Sequence, residues 1–140
     1  MNEDSRPHDG SPAGRSVGRI AFGLPGLPGA RDFAESCALR HGMSDERVGD
    51  LLLAVNEVAT NAVTHGADSA TMRVWYTGDH LVIQIHDDGQ WATDGQSPGE
   101  SPPAPLATSG MGLWVARRLS SRIAFDAGRS GTTVTMSFKV

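Results

Sequence analysis

The stretch from Leu51 to Gly66 limits what this chain can fold into more than any other. It reads as one helix in which Glu57, Asn61 and His65 recur every four residues. At about 100° per residue, each step of four drifts only about 40°, so the three polar side chains share a face. Leu51, Leu52, Val55, Ala59 and Ala62 gather roughly opposite and supply a core contact. A carboxylate, an amide and an imidazole in line suit the holding of a metal-bound phosphate beside a reacting hydroxyl. Gly66 then stops the helix.

The rest of the composition narrows the class. A chain of 140 residues with 39% hydrophobic and 20% charged residues is expected to form one globular domain with its own core. Net charge is −4, Lys139 is the only lysine, and no basic cluster argues for nucleic acid. Cys37 stands alone, which excludes an internal disulfide and fits a reducing cytoplasm. No apolar run approaches membrane-spanning length, and the first 16 residues are polar rather than signal-like. The expectation is a cytoplasmic protein that engages neither membrane nor nucleic acid directly.

Residues 1–16 are rich in Asp, Ser, Pro, Gly and Arg and read as a disordered tail, leaving 17–140 as the domain. Val17 to Phe22 reads as a strand, and Gly23 to Gly29 as Pro/Gly punctuation. Ala30 to His41 has a helical pattern anchored by Phe33, Cys37 and Leu39, with Gly42 as its stop. Ser44-Asp45-Glu46 opens the long helix with an N-cap and acidic residues. Strands follow at Ala70 to Tyr76 and Leu81 to His86. From about 88 to 109 the chain is rich in Pro and Gly and poor in apolar residues, as a functional loop or lid would be. Gly112 to Leu119 reads as a helix, and Arg122 to Ala127 and Thr132 to Val140 as a final pair of strands. The order β-α-α-β-β-lid-α-β-β predicts an α+β fold, with helices on one face of a mainly antiparallel sheet.

Two further segments add to the polar helix. Ile85-His86-Asp87-Asp88-Gly89 places a carboxylate at a strand end, with a glycine two residues later. Such a carboxylate can accept a hydrogen bond from the exocyclic amine of adenine. Ser109-Gly110-Met111-Gly112-Leu113 sets two glycines at a helix entry, where backbone N–H groups and the helix dipole favour a triphosphate. Mg²⁺ prefers oxygen ligands, so Asn61 with phosphate oxygens makes a reasonable shell. Glu57, one turn earlier, is placed to orient or deprotonate an attacking hydroxyl.

These segments resemble the motifs of the GHKL superfamily, whose ATP-binding fold is a two-layer α/β sandwich (the Bergerat fold) on a mixed, mainly antiparallel sheet. Within it the chain looks like the small anti-sigma factor serine kinases of bacterial sporulation and general stress responses. Glu57 to Gly66 resembles their N box, Asp87-Asp88-Gly89 the first glycine box and Ser109 to Gly112 the second. Gly131-Thr132-Thr133-Val134 resembles the third, in which the Thr after Gly approaches the phosphates. Arg31, 26 residues before Glu57, falls where these kinases carry an arginine linked to phosphates and the target serine.

The resemblance implies ATP and Mg²⁺ as cofactors, with Glu57 and Arg31 catalytic and Asn61 the metal ligand. It implies nucleotide contacts from Asn61, His65, Gly66, Asp87, Gly89, Ser109, Gly110, Met111, Gly112, Leu113, Thr132 and Thr133. It also implies as partners a sigma factor of RNA polymerase, an antagonist (anti-anti-sigma, STAS-type) protein carrying the target serine, and a second copy of the chain. The chain departs from the pattern twice: Gln90-Trp91 replaces a further glycine, and the lid carries no Lys or Arg. The second departure leaves room for another reading, a nucleotide-dependent module that sequesters a partner without useful kinase activity. Elsewhere Trp91 is read as a lid anchor, and at least one of Met111 and Trp114 as core packing. Arg117 and Arg118 read as surface charges suited to a helix C-terminus, and His80 and His86 lack zinc-like spacing with Cys37.

Overall fold

The computed structural model describes residues 14–66, 68–89, 111–128 and 130–140. Strand β1 (Arg15–Gly23) leads through a short 3-10 turn, Leu24–Gly26, into α1 (Leu27–Arg40). Helix α2 (Asp45–Asn61) ends in a π-helical turn, Ala62–Gly66. Then come β2 (Ser69–Tyr76), β3 (His80–Asp87), α3 (Met111–Leu119), β4 (Arg122–Gly128) and β5 (Gly131–Lys139). The sheet order is β1-β2-β3-β5-β4, and each pairing is antiparallel. The α+β layering is as expected. The sheet, expected to be mixed, is antiparallel throughout its described strands.

Side-chain alternation sorts the sheet into two faces. Toward the helices point Met72 and Val74 of β2, Leu81, Ile83 and Ile85 of β3, and Val134, Met136 and Phe138 of β5, all buried. Helix α2 lies over them through Val48, Leu51, Ala54, Val55, Val58 and Ala59. Of the five apolar residues expected to face this core, Leu52 is only half-buried. The N-cap reading holds: the Ser44 side chain accepts from the Arg47 N–H at 3.3 Å, and Asp45 and Glu46 occupy the first turn.

Several boundaries move for local reasons. Helix α1 begins at Leu27 because Pro28, in the first turn, has no N–H that an intrahelical bond would need. Its buried stripe is Leu27, Ala30, Ala34, Cys37 and Ala38, a helical spacing that leaves the expected anchor Leu39 49% exposed. It stops as expected at Gly42, in the left-handed region at φ +86. Met43 N–H donates to the Ala38 carbonyl at 3.1 Å and Gly42 N–H to that of Leu39 at 3.2 Å, the paired closure of a Schellman end. Burial pushes the Cys37 thiol up, against the opposing pull of Arg40, and the residue packs as a small apolar group.

Strand β1 starts at Arg15, two residues into the expected tail; residues 1–13 lie outside the described residues. Among the described residues, no helix is long and apolar enough to cross a membrane.

Candidate functional site: a polar end to an apolar floor

The helix-facing row of β3 runs Leu81, Ile83, Ile85 and then Asp87; opposite it, β5 runs Phe138, Met136, Val134 and then Thr132. At the last step the apolar pattern gives way to a carboxylate facing a hydroxyl, each 2% exposed. Charged side chains are seldom buried so deeply without a structural or chemical reason. Here the Asp87 Oδ1 accepts from the Gly89 N–H at 2.7 Å, and the Thr132 hydroxyl donates to the Gly89 carbonyl at 3.1 Å. The turn Asp87-Asp88-Gly89 is thus stitched to the start of β5.

Gly131 makes that stitching possible. Its φ is +114, and a Cβ added there would overlap the Asp87 carbonyl oxygen and reach within 2.8 Å of Asp88 Cα. Only glycine lets the β4–β5 turn approach the end of β3 so closely.

The second half of the site lies on the helices. A Cβ at Gly112 would overlap Glu57 Oε1 and fall 3.1 Å from Glu57 Cβ. The first turn of α3 therefore rests directly on the Glu57 side chain, half-buried on α2. Next along α2, Asn61 is its final helical residue, also half-buried. The π turn that follows packs against β2 and β3, so the end of α2 leads to the sheet. The sequence predicts an unbroken α-helix to His65; the backbone instead widens after Asn61. There the Thr64 hydroxyl donates to the Thr60 carbonyl at 2.6 Å, a local bond that competes with the helical ladder. Wide turns of this kind concentrate at functional sites.

The structure brings Asp87, Gly89 and Thr132 together at the end of the sheet and, separately, Glu57 and Gly112 at the contact between α2 and α3. Leu113 is buried beneath α3. Thr133 is not brought in: alternation turns it to the opposite sheet face, where its hydroxyl lies 2.8 Å from His86 Nδ1. Arg31 does not bond to Glu57 either; its Nη1 donates to Asn56 Oδ1 at 2.6 Å. Ser109, Gly110, the side chains of His65 and Met111, and all of the lid beyond Gly89 lie outside the described residues.

Three features escaped the sequence reading. Asn56 carries no periodic signal and meets Arg31 only through the packing of two helices. His86 bridges Thr133 and Asp88, the latter at 3.4 Å, through a cross-strand register that the sequence does not display. Arg117 is half-buried rather than a plain surface charge, with its guanidinium 5.4 Å from the Phe125 ring centre. Arg118 stacks similarly on half-buried Trp114. Among the described residues no cluster of His, Cys, Asp and Glu forms a self-sufficient metal centre.

A buried carboxylate at the end of β3 and a helix, α3, seated through Gly112 on the Glu57 side chain of α2 are polar features of this fold's helix-covered face. The chain belongs to the histidine kinase-like ATPase domain family, whose model matches residues 24–138. Among solved structures it is similar to the RsbU and RsbW domains of Rv1364c from Mycobacterium tuberculosis, with a TM-score of 0.63 and 19% identity. That match covers 87% of this chain and 32% of the other, so the chain spans about a third of that structure. It is also similar to the Acinetobacter baumannii histidine kinase AdeS, with a TM-score of 0.50 and 13% identity, covering 88% of this chain and 68% of that one. At such identities the likeness concerns the fold. No curated protein matches the chain.

Proposed function

We propose that this protein binds Mg·ATP between α2 and the polar end of the sheet and transfers the γ-phosphoryl group to a serine of a partner protein. The observation that carries the reading is the buried Asp87–Thr132 pair closing an otherwise apolar floor. The residues fit the nucleotide in one respect: Asp87 supplies a buried carboxylate at the end of an apolar floor.

ATP with Mg²⁺ would supply the phosphoryl group and neutralise its charge. The chain's own residues do the rest. Asp87 reads the adenine amine, with Gly89 and Thr132 holding it in place. Asn61 offers its side-chain oxygen to the metal, and Gly110 to Leu113 cradle the phosphates. Glu57 takes the proton of the acceptor hydroxyl as the new oxygen–phosphorus bond forms and the bond to the leaving diphosphate breaks.

The biological reading that fits is a cytoplasmic anti-sigma factor acting by partner switching. It would hold a sigma factor and inactivate a STAS-type antagonist by phosphorylating it. Strand β1 lies at the sheet edge, which supports pairing with a second copy through that edge. A second reading, a nucleotide-dependent sequestering module, is favoured by the absence of Lys and Arg from residues 90–109. The Glu57→Gln variant separates them. It is expected to lose about 10²- to 10⁴-fold in label transfer from Mg·ATP to STAS-type proteins while binding nucleotide normally. Transfer at an undiminished rate would remove Glu57 as the base; nucleotide binding with no transfer by the unmodified protein would favour the module.

A further inference from the structure

The bond between Arg31 Nη1 and Asn56 Oδ1, 2.6 Å long, ties α1 to α2 across 25 residues of sequence, and both side chains are half-buried. Among the described residues Arg31 enters no ion pair, although Asp32, Glu35, Asp50 and Glu57 occupy the same two helices. The choice of acceptor matters chemically. A carboxylate would fix a guanidinium and cancel its charge; an amide oxygen fixes the direction and leaves the charge whole.

Position adds to this. Asn56 and Glu57 are consecutive, so about 100° of helix separates them: Asn56 lies on the flank of α2 toward α1, Glu57 on the flank toward α3. Between those flanks runs the outward ridge of α2, with Leu53 47% exposed and Thr60 half-buried. An approaching protein that offered a hydroxyl to Glu57 across this ridge would meet the Arg31 cation on the other side.

We propose that Asn56 is a positioning residue for phosphoryl transfer, one that aims Arg31 over the ridge of α2 without neutralising it. This rests on the kinase reading above. The held cation offsets the negative charge that spreads over the transferring phosphoryl group, which a lid without Lys or Arg cannot do from its own residues.

Asn56→Asp is the discriminating variant, because it keeps the shape and the tie between the helices while cancelling the charge. The measurement is transfer of radiolabelled phosphate from Mg·ATP to purified STAS-type proteins, alongside ATP affinity and Tm. Asn56→Asp is expected to match or exceed the unmodified protein in Tm and to bind ATP within about twofold, while kcat falls about tenfold or more. Asn56→Ala, which lets the guanidinium swing, is expected to lose kcat as well. Full transfer by Asn56→Asp would reduce the pair to a tie between helices and overturn the inference, whatever Asn56→Ala does. No transfer by the unmodified protein would instead remove the kinase reading and this inference with it, so the two failures are distinguishable.

Discussion

Replacing Gly131 with alanine is expected to destabilise the fold by about 3 kcal/mol, on the order of 10 °C in Tm. Two costs combine at this one position. The backbone sits at φ +114, where a side chain is strained, and the new methyl group meets the Asp87 carbonyl and Asp88 Cα. Both obstacles are backbone atoms, so no side-chain rotation relieves them. The strands must separate, which also pulls Thr132 from the Gly89 carbonyl. Nucleotide affinity should therefore fall together with stability. Gly49 makes the comparison sharp: it lies exposed within α2 with nothing within 4 Å of an added Cβ. Gly49→Ala is expected to raise stability by about 0.5 to 1 kcal/mol through helix propensity. Equal melting temperatures for the two variants would show that the β4–β5 turn does not depend on close approach to β3.

Asp87→Asn carries the second large effect, on binding rather than folding. The amide matches the carboxylate in size and can still accept from the Gly89 N–H through its oxygen. Its remaining group is then a donor where the adenine amine also donates, so an attraction is replaced by a repulsion in a site only 2% exposed. The expected loss is about 3 kcal/mol or more, roughly a hundredfold in ATP affinity, with a Tm close to that of the unmodified protein. Calorimetric titration of both proteins with ATP and with GTP checks it. An ATP affinity within threefold of the original would take Asp87 out of base recognition.

Much of this architecture was legible because its signals are local and periodic. The apolar stripe and capped start of α2, the Gly42 stop and the strand β3 follow from one or two turns of chain, and each is found, although Val82 and Gln84 of β3 are buried as well. The sequence also put Asp87 at a strand end, and the structure adds that Gly131 lies against it. What failed to show depends on contacts between distant segments. The π turn after Asn61 arises where α2 must meet β2 and β3, and nothing in a four-residue repeat announces it. The pairing of Arg31 with Asn56 needs two helices to pack before it exists. Thr132 and Thr133 look equivalent in sequence, yet the pleat sends one beside Asp87 and the other beside His86. Leu39 was misjudged because a helix contributes only one stripe to the core, and an apolar residue off that stripe stays in solvent.

The most direct test of the account is isothermal titration of the purified protein with ATP and ADP in Mg²⁺. One nucleotide per chain is expected, with competition between the two ligands and roughly a hundredfold weaker ATP binding in Asp87→Asn. Absence of binding heat for either nucleotide, even at millimolar concentration, would contradict the nucleotide site on which the proposed chemistry depends.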